Sequence, residues 1–167
     1  MSPTNDLYDT DLYQWTQEQA ALLREGKLHE LDLANLMEEI LSVGASQYTT
    51  VSSAVYQILV HLLKWRYQPA HQSRSWRVSL VEHRSRIPRQ LRRAPSLARE
   101  IARMIEEEYP AACRKANAQT GLPLATIPAT CPWTVDQVLN EDFWPAPPDT
   151  GSDVEHPVRF DEDEPRS

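Results

Sequence analysis

Between residues 32 and 69, apolar or small side chains fall at 33, 37, 40, 44, 48, 51, 55, 58 and 62, in alternating steps of three and four. That period places them on one face of a helix. The phase carries across Gly44-Ala45-Ser46. One kinked helix or a break with Ser46 capping a second helix both fit, and a kink or short break without reversal is the expectation. Glycine costs a helix interior only ~1 kcal/mol, too little to end it. Pro69 does end it, because proline disfavours helix at the preceding residue and has no N–H to give.

Shorter elements flank this run. Residues 1–8 read as a loose arm. Asp9-Thr10-Asp11 opens a helix with Leu12, Trp15, Gln19, Leu22 and Leu23 on one face, and Gly26 stops it. Asp32 caps the long run. A hairpin about residue 29 would set Gln19 opposite Glu39 and Trp15 opposite Ser42. Ser73 or Ser75 starts the next helix, with Trp76, Leu80, Ile87 and Leu91 inward and a kink at Pro88. Pro95-Ser96 starts another through Ile101, Met104, Ile105 and Tyr109, kinked at Pro110 and stopped by Gly121. Residues 122–132 form an ordered loop held by three prolines. Thr134-Val135-Asp136-Gln137 matches a capping box, with Trp133 placed to staple onto Val138 in a short helix to about Glu141. The fold class is all-α: one bundle of about five or six helices over residues 1–144, then a disordered acidic tail over 145–167. That tail has five prolines, seven acids and little to bury.

Charge sharpens the picture. The 167-residue chain carries a net charge of −7. Residues 1–63 hold nine acids against two bases, whereas residues 64–93 hold nine bases against Glu82. A basic block in an acidic chain meets either its own acidic helices or an external anion. Cys113 and Cys131 lack metal-site spacing and are expected as free thiols. No apolar run approaches the ~20 residues that span a bilayer, and no leader is evident, so the chain is expected to be cytoplasmic and not membrane-bound. No cofactor motif and no metal motif is present, and none is expected.

Three groups carry candidate chemistry. Glu38 and Glu39, near Trp15, Glu18 and Gln19, put carboxylates at a helical interface, where they can hold a hard cation, shift one another's pKa or pair with arginine. His61 is a ligand, a general base or a hydrogen-bonded core histidine. Glu38 and His61 would stand roughly 34 Å apart on one straight helix, so they meet only through a third element. Lys64, Trp65, Trp76, Arg77, Arg84 and Arg89 interleave cations with aromatic platforms, a pattern suited to single-stranded nucleic acid. Internal pairing of those arginines is the competing use.

Several phrases occur together and in order: Tyr8-Asp9-x-Asp11-x-Tyr13-x-Trp15, Asp32-Leu33-x-Asn35-Leu36-x-Glu38-Glu39-Ile40, His61-Leu62-Leu63-Lys64-Trp65-x-Tyr67-Gln68-Pro69, Ser75-Trp76 and Cys131-Pro132-Trp133. In these the chain strongly resembles the bacterial domain-of-unknown-function family twenty-nine, over roughly residues 6–145. The resemblance implies an almost wholly helical fold and transfers no activity. The leading expectation is a small interaction or adaptor module, working through a protein partner or as a homo-oligomer. A nucleic-acid-binding protein using residues 64–93 is the first alternative. A hydrolase or nuclease built on Glu38, Glu39 and His61 is the second.

Overall fold

A computed structural model describes residues 4–148, and among them are six α-helices and no strand. They are α1 (Thr4–Thr10), α2 (Leu12–Glu25), α3 (Leu33–Tyr67), α4 (Arg74–Arg93), α5 (Ile101–Thr120) and α6 (Val135–Leu139). The all-α expectation therefore holds. Residues 149–167, which hold most of the acidic tail expected from sequence, lie outside the described residues. The chain divides into two compact units, Met1–Gln47 and Tyr48–Ser167, and the division falls within α3.

The first unit is held by side-chain oxygens more than by a core. The segment expected as a loose arm is helical from Thr4. Asp11 joins two helices: its N–H continues the α1 ladder to the Leu7 carbonyl at 2.8 Å, and its carboxylate accepts from the Gln14 N–H at 3.0 Å to open α2. Gly26, at φ 71°, closes α2. Its N–H reaches the Leu23 carbonyl and that of Lys27 reaches Leu22, so two end carbonyls are satisfied where only glycine adopts the backbone freely. Asp32 then caps α3 through the Asn35 N–H.

The expected register differs at this corner. Trp15 and Gln19, the two buried side chains of α2, both turn to Asp32. The Trp15 indole donates to its carboxylate at 3.3 Å, and the Gln19 carbonyl accepts from its N–H at 2.9 Å. Glu39 is met by Tyr8 instead of Gln19, the hydroxyl donating at 2.7 Å, while the Tyr8 ring stands edge-on to Trp15. A hairpin centred on residue 29 presumed a symmetric turn. The cap at Gly26 and a 3-10 turn at Leu28–Glu30 instead return the chain to the middle of α2.

The second unit has one apolar core. The α3 side chains Val51, Val55, Ile58, Leu59, Leu62 and Leu63 form its axis, met by Leu80 and Ile87 of α4 and by Ile101, Met104, Ile105 and Tyr109 of α5. Trp133, Val138, Phe143 and Trp144 close it. Each such side chain contributes ~1.5–3 kcal/mol on burial, before conformational entropy is set against it. Polar clasps tie α3 to α5 at its edge: Ser52 donates to Glu108 at 2.6 Å and Tyr48 to Glu107 at 2.8 Å, with Arg103 donating to the same Glu107 carboxylate at 2.7 Å.

Most end signals act where sequence places them. Ser73 caps α4, Gly121 closes α5 at φ 70°, and the Thr134–Gln137 capping box is complete. α3 is unbroken through Gly44, whose φ is not positive. Helices α4 and α5 continue through Pro88 and Pro110. α5 is preceded by a 3-10 segment, Pro95–Glu100, and α6 ends at Leu139.

Candidate functional site

The sequence-derived candidates separate once they are traced to their partners. Glu38 and Glu39 belong to the first unit and His61 to the second. Glu38 is exposed, and Glu39 is engaged by Tyr8. That contact pushes the Tyr8 hydroxyl up to about 12, chiefly because the phenol proton is held by the carboxylate. Among the described residues, no group of three or more His, Cys, Asp or Glu side chains is placed to hold a metal ion.

His61 sits part-buried on α3. Its pKa is pulled down to about 4, first by burial and then by the nearby charges of Lys64 and His83. The ring is therefore neutral at pH 7. Its Nδ1, like that of His83, is buried with no hydrogen-bond partner among the described residues.

Much of the expected nucleic-acid surface is interior. Arg84 is 1% exposed, and its guanidinium donates to three carbonyls: Nε to Val138 at 2.9 Å, Nη1 to Phe143 at 2.9 Å and Nη2 to Gln137 at 3.2 Å. Two of these carbonyls end α6, where helix geometry leaves acceptors unmet and the dipole favours a cation. Burial draws the Arg84 pKa down to about 10, against the opposing pull of Glu141 and Asp142. Three of its five N–H groups are used in this way and the side chain is buried, so it is not part of the exposed cationic surface.

Trp65 is likewise buried, its ring 4.5 Å from that of Trp144. The guanidinium of Arg77 lies 6.0 Å from the same Trp144 ring. Lys64 is buried as well, donating to the Gln119 carbonyl at 3.1 Å with its ammonium 4.4 Å from the Trp76 ring. Burial lowers its pKa, and Lys115 adds to this. Lysine–aromatic contact of this kind is worth ~0.5–2 kcal/mol. Arg89 alone of the named cations stays exposed, beside Arg74, Arg92 and Arg93 on α4.

A cavity of about 400 Å³ lies between α5 and the loop before α6, walled by Ile105, Tyr109, Pro110, Cys131 and Trp133. Burial raises both the Cys113 and Cys131 thiols, so they remain protonated and weakly nucleophilic.

The sequence reading missed one feature. Leu33, Met37, Ile40 and Leu41 share one side of α3 and are 62–70% exposed. The helical face read as mostly buried is thus covered only from Tyr48 onward.

These observations define an all-α protein in which Lys64, Trp65 and Arg84 serve its own packing and whose first unit exposes an amphipathic helix. A family described as "Domain of unknown function DUF29" matches residues 7–144, and the chain belongs to it. No curated protein and no solved structure matched. No helix among the described residues is long and apolar enough to cross a membrane.

Proposed function

We propose that this chain is a protein-interaction module that works through the first unit. The observation that supports it is the exposed stripe Leu33, Met37, Ile40 and Leu41 on a helix whose start is held by side-chain hydrogen bonds. Asp32 receives the Trp15 indole and the Asn35 N–H and side-chain amide, and its own N–H is met by Gln19. Such anchoring presents the stripe in one orientation at low entropic cost, as a binding helix requires. A contiguous apolar patch with a polar rim marks an interaction surface. Glu38, exposed on the same helix, flanks the stripe.

Site-specific photo-crosslinking in the native cell tests the proposal. A benzophenone side chain at position 40 should give a discrete adduct, whereas the same group at exposed position 53 should not. If position 40 yields no discrete adduct, the proposal fails.

A further inference from the structure

The two sides of a complementary contact are both present on this one chain. Residues of the first unit, Met1–Gln47, hold nine acids against Arg24 and Lys27, a net of −7. Two such units facing each other would repel. Helix α4 is the reverse: seven arginines against Glu82, a net of +6. Arg74, Val78, Val81, Ser85, Arg89 and Arg92 recur at steps of three and four, so they share one side of α4. All six are exposed, with Val78 at 54% and Val81 at 40%. That row is apolar at its centre and cationic at both ends. The α3 stripe is apolar, has Glu38 beside it, and lies in the unit of net charge −7.

We propose that the partner of the α3 stripe is the outer face of α4 on a second copy of this chain. This rests on the interaction-module reading and names its occupant. Apolar burial supplies the attraction, and opposite charge sets which faces meet. Because the two faces differ, the contact is head-to-tail. A bound pair still offers one free face of each kind, so association continues into a ring or an open series.

Sedimentation velocity of the full chain tests this. The mass should rise with concentration from 19.2 kDa through successive multiples, and fall back as salt rises. Ile40→Asp and Val81→Asp each spoil one face and should each remain at one chain's mass. Their 1:1 mixture should give a dimer and nothing larger, since only one productive pairing survives. Both positions are exposed, so the melting transition should stay in place in each variant. A second pair, Glu38→Arg and Arg89→Glu, probes charge alone: each should weaken association, and mixing them should restore it, because each face then meets its opposite charge on the other variant.

Three results would overturn the proposal. One is a mass fixed at one chain at every concentration. Another is a Val81→Asp variant that self-associates as well as the parent, which would mean that stripes pair with stripes. The third is a monomeric chain whose α4 binds a labelled single-stranded oligonucleotide and loses it on Arg89→Glu, which would assign the face to nucleic acid. A discrete heterologous adduct at position 40 from a monomeric chain would retain the interaction module and refute only the second copy as its partner.

Discussion

Removing the Arg84 guanidinium should be among the most damaging single changes available to the second unit. It donates to the carbonyls of Gln137, Val138 and Phe143 from a position that is 1% exposed. Hydrogen bonds from a charged donor contribute ~1.5–3 kcal/mol each. Three of them do not simply add, because burying the cation itself costs free energy, as its lowered pKa shows. Arg84→Ala also leaves buried carbonyls without a donor and a void under Trp144, whose ring centroid is 5.9 Å from the guanidinium carbon. Loss of one partner from a buried charged network costs ~3–5 kcal/mol, and that is the expected magnitude. Urea unfolding followed by tryptophan fluorescence measures it as a fall in midpoint at constant slope. Arg84→Lys should recover only part of the loss, because an ammonium cannot span carbonyls 54 and 59 residues away with a planar fork. A loss below ~1 kcal/mol for Arg84→Ala would refute the reasoning, since it would mean that water replaces the guanidinium without penalty.

Two further predictions follow from individual side chains. His61 is held near 4 in the folded state against an ordinary 6.5. The unfolded chain therefore takes up the proton first, so the stability linked to neutral His61 is complete above pH 6.5 and is lost as pH falls towards 4. At ~1.4 kcal/mol per pH unit the shift would amount to ~3 kcal/mol. Solvent reaches part of the ring, which reduces this to ~1–2 kcal/mol. His61→Gln should flatten the pH dependence of the urea midpoint over that window relative to the parent, and an unchanged slope would count against a buried neutral ring. Gly44 sits in mid-helix with nothing within 4 Å of an added Cβ. Gly44→Ala should therefore raise helix stability by ~0.5–1 kcal/mol and slow amide exchange around it, and faster exchange would point to a hidden close neighbour.

Local signals were legible in sequence because their causes are local. Asp11, Asp32, Ser73 and Thr134 cap helices through amides three residues on, and Gly26 and Gly121 take positive φ at helix ends whatever lies beyond. The α3 period identified one helix face, and the core from Val51 to Leu63 lies on it. Gly44 was legible only as a weak point. Whether the helix broke there depended on propensity terms too small to decide it.

Tertiary structure alone decided which polar residues were left for function. Lys64, Trp65, Arg77 and Arg84 read as a cationic, aromatic surface because sequence shows their chemistry and not their partners. Those partners, Gln119, Trp144, Gln137, Val138 and Phe143, arrive from more than fifty residues along the chain. The same holds for the α3 stripe. Its periodicity requires that one side be apolar, yet burial depends on how much chain packs against it. The sequence by itself determined five of the six helices, most of their capped ends and the opposite charges of the first unit and α4. Only packing determined that Arg84 is a cap and that Leu33–Leu41 is a surface, because hydrogen-bond satisfaction and exclusion of water are properties of neighbours distant in the chain.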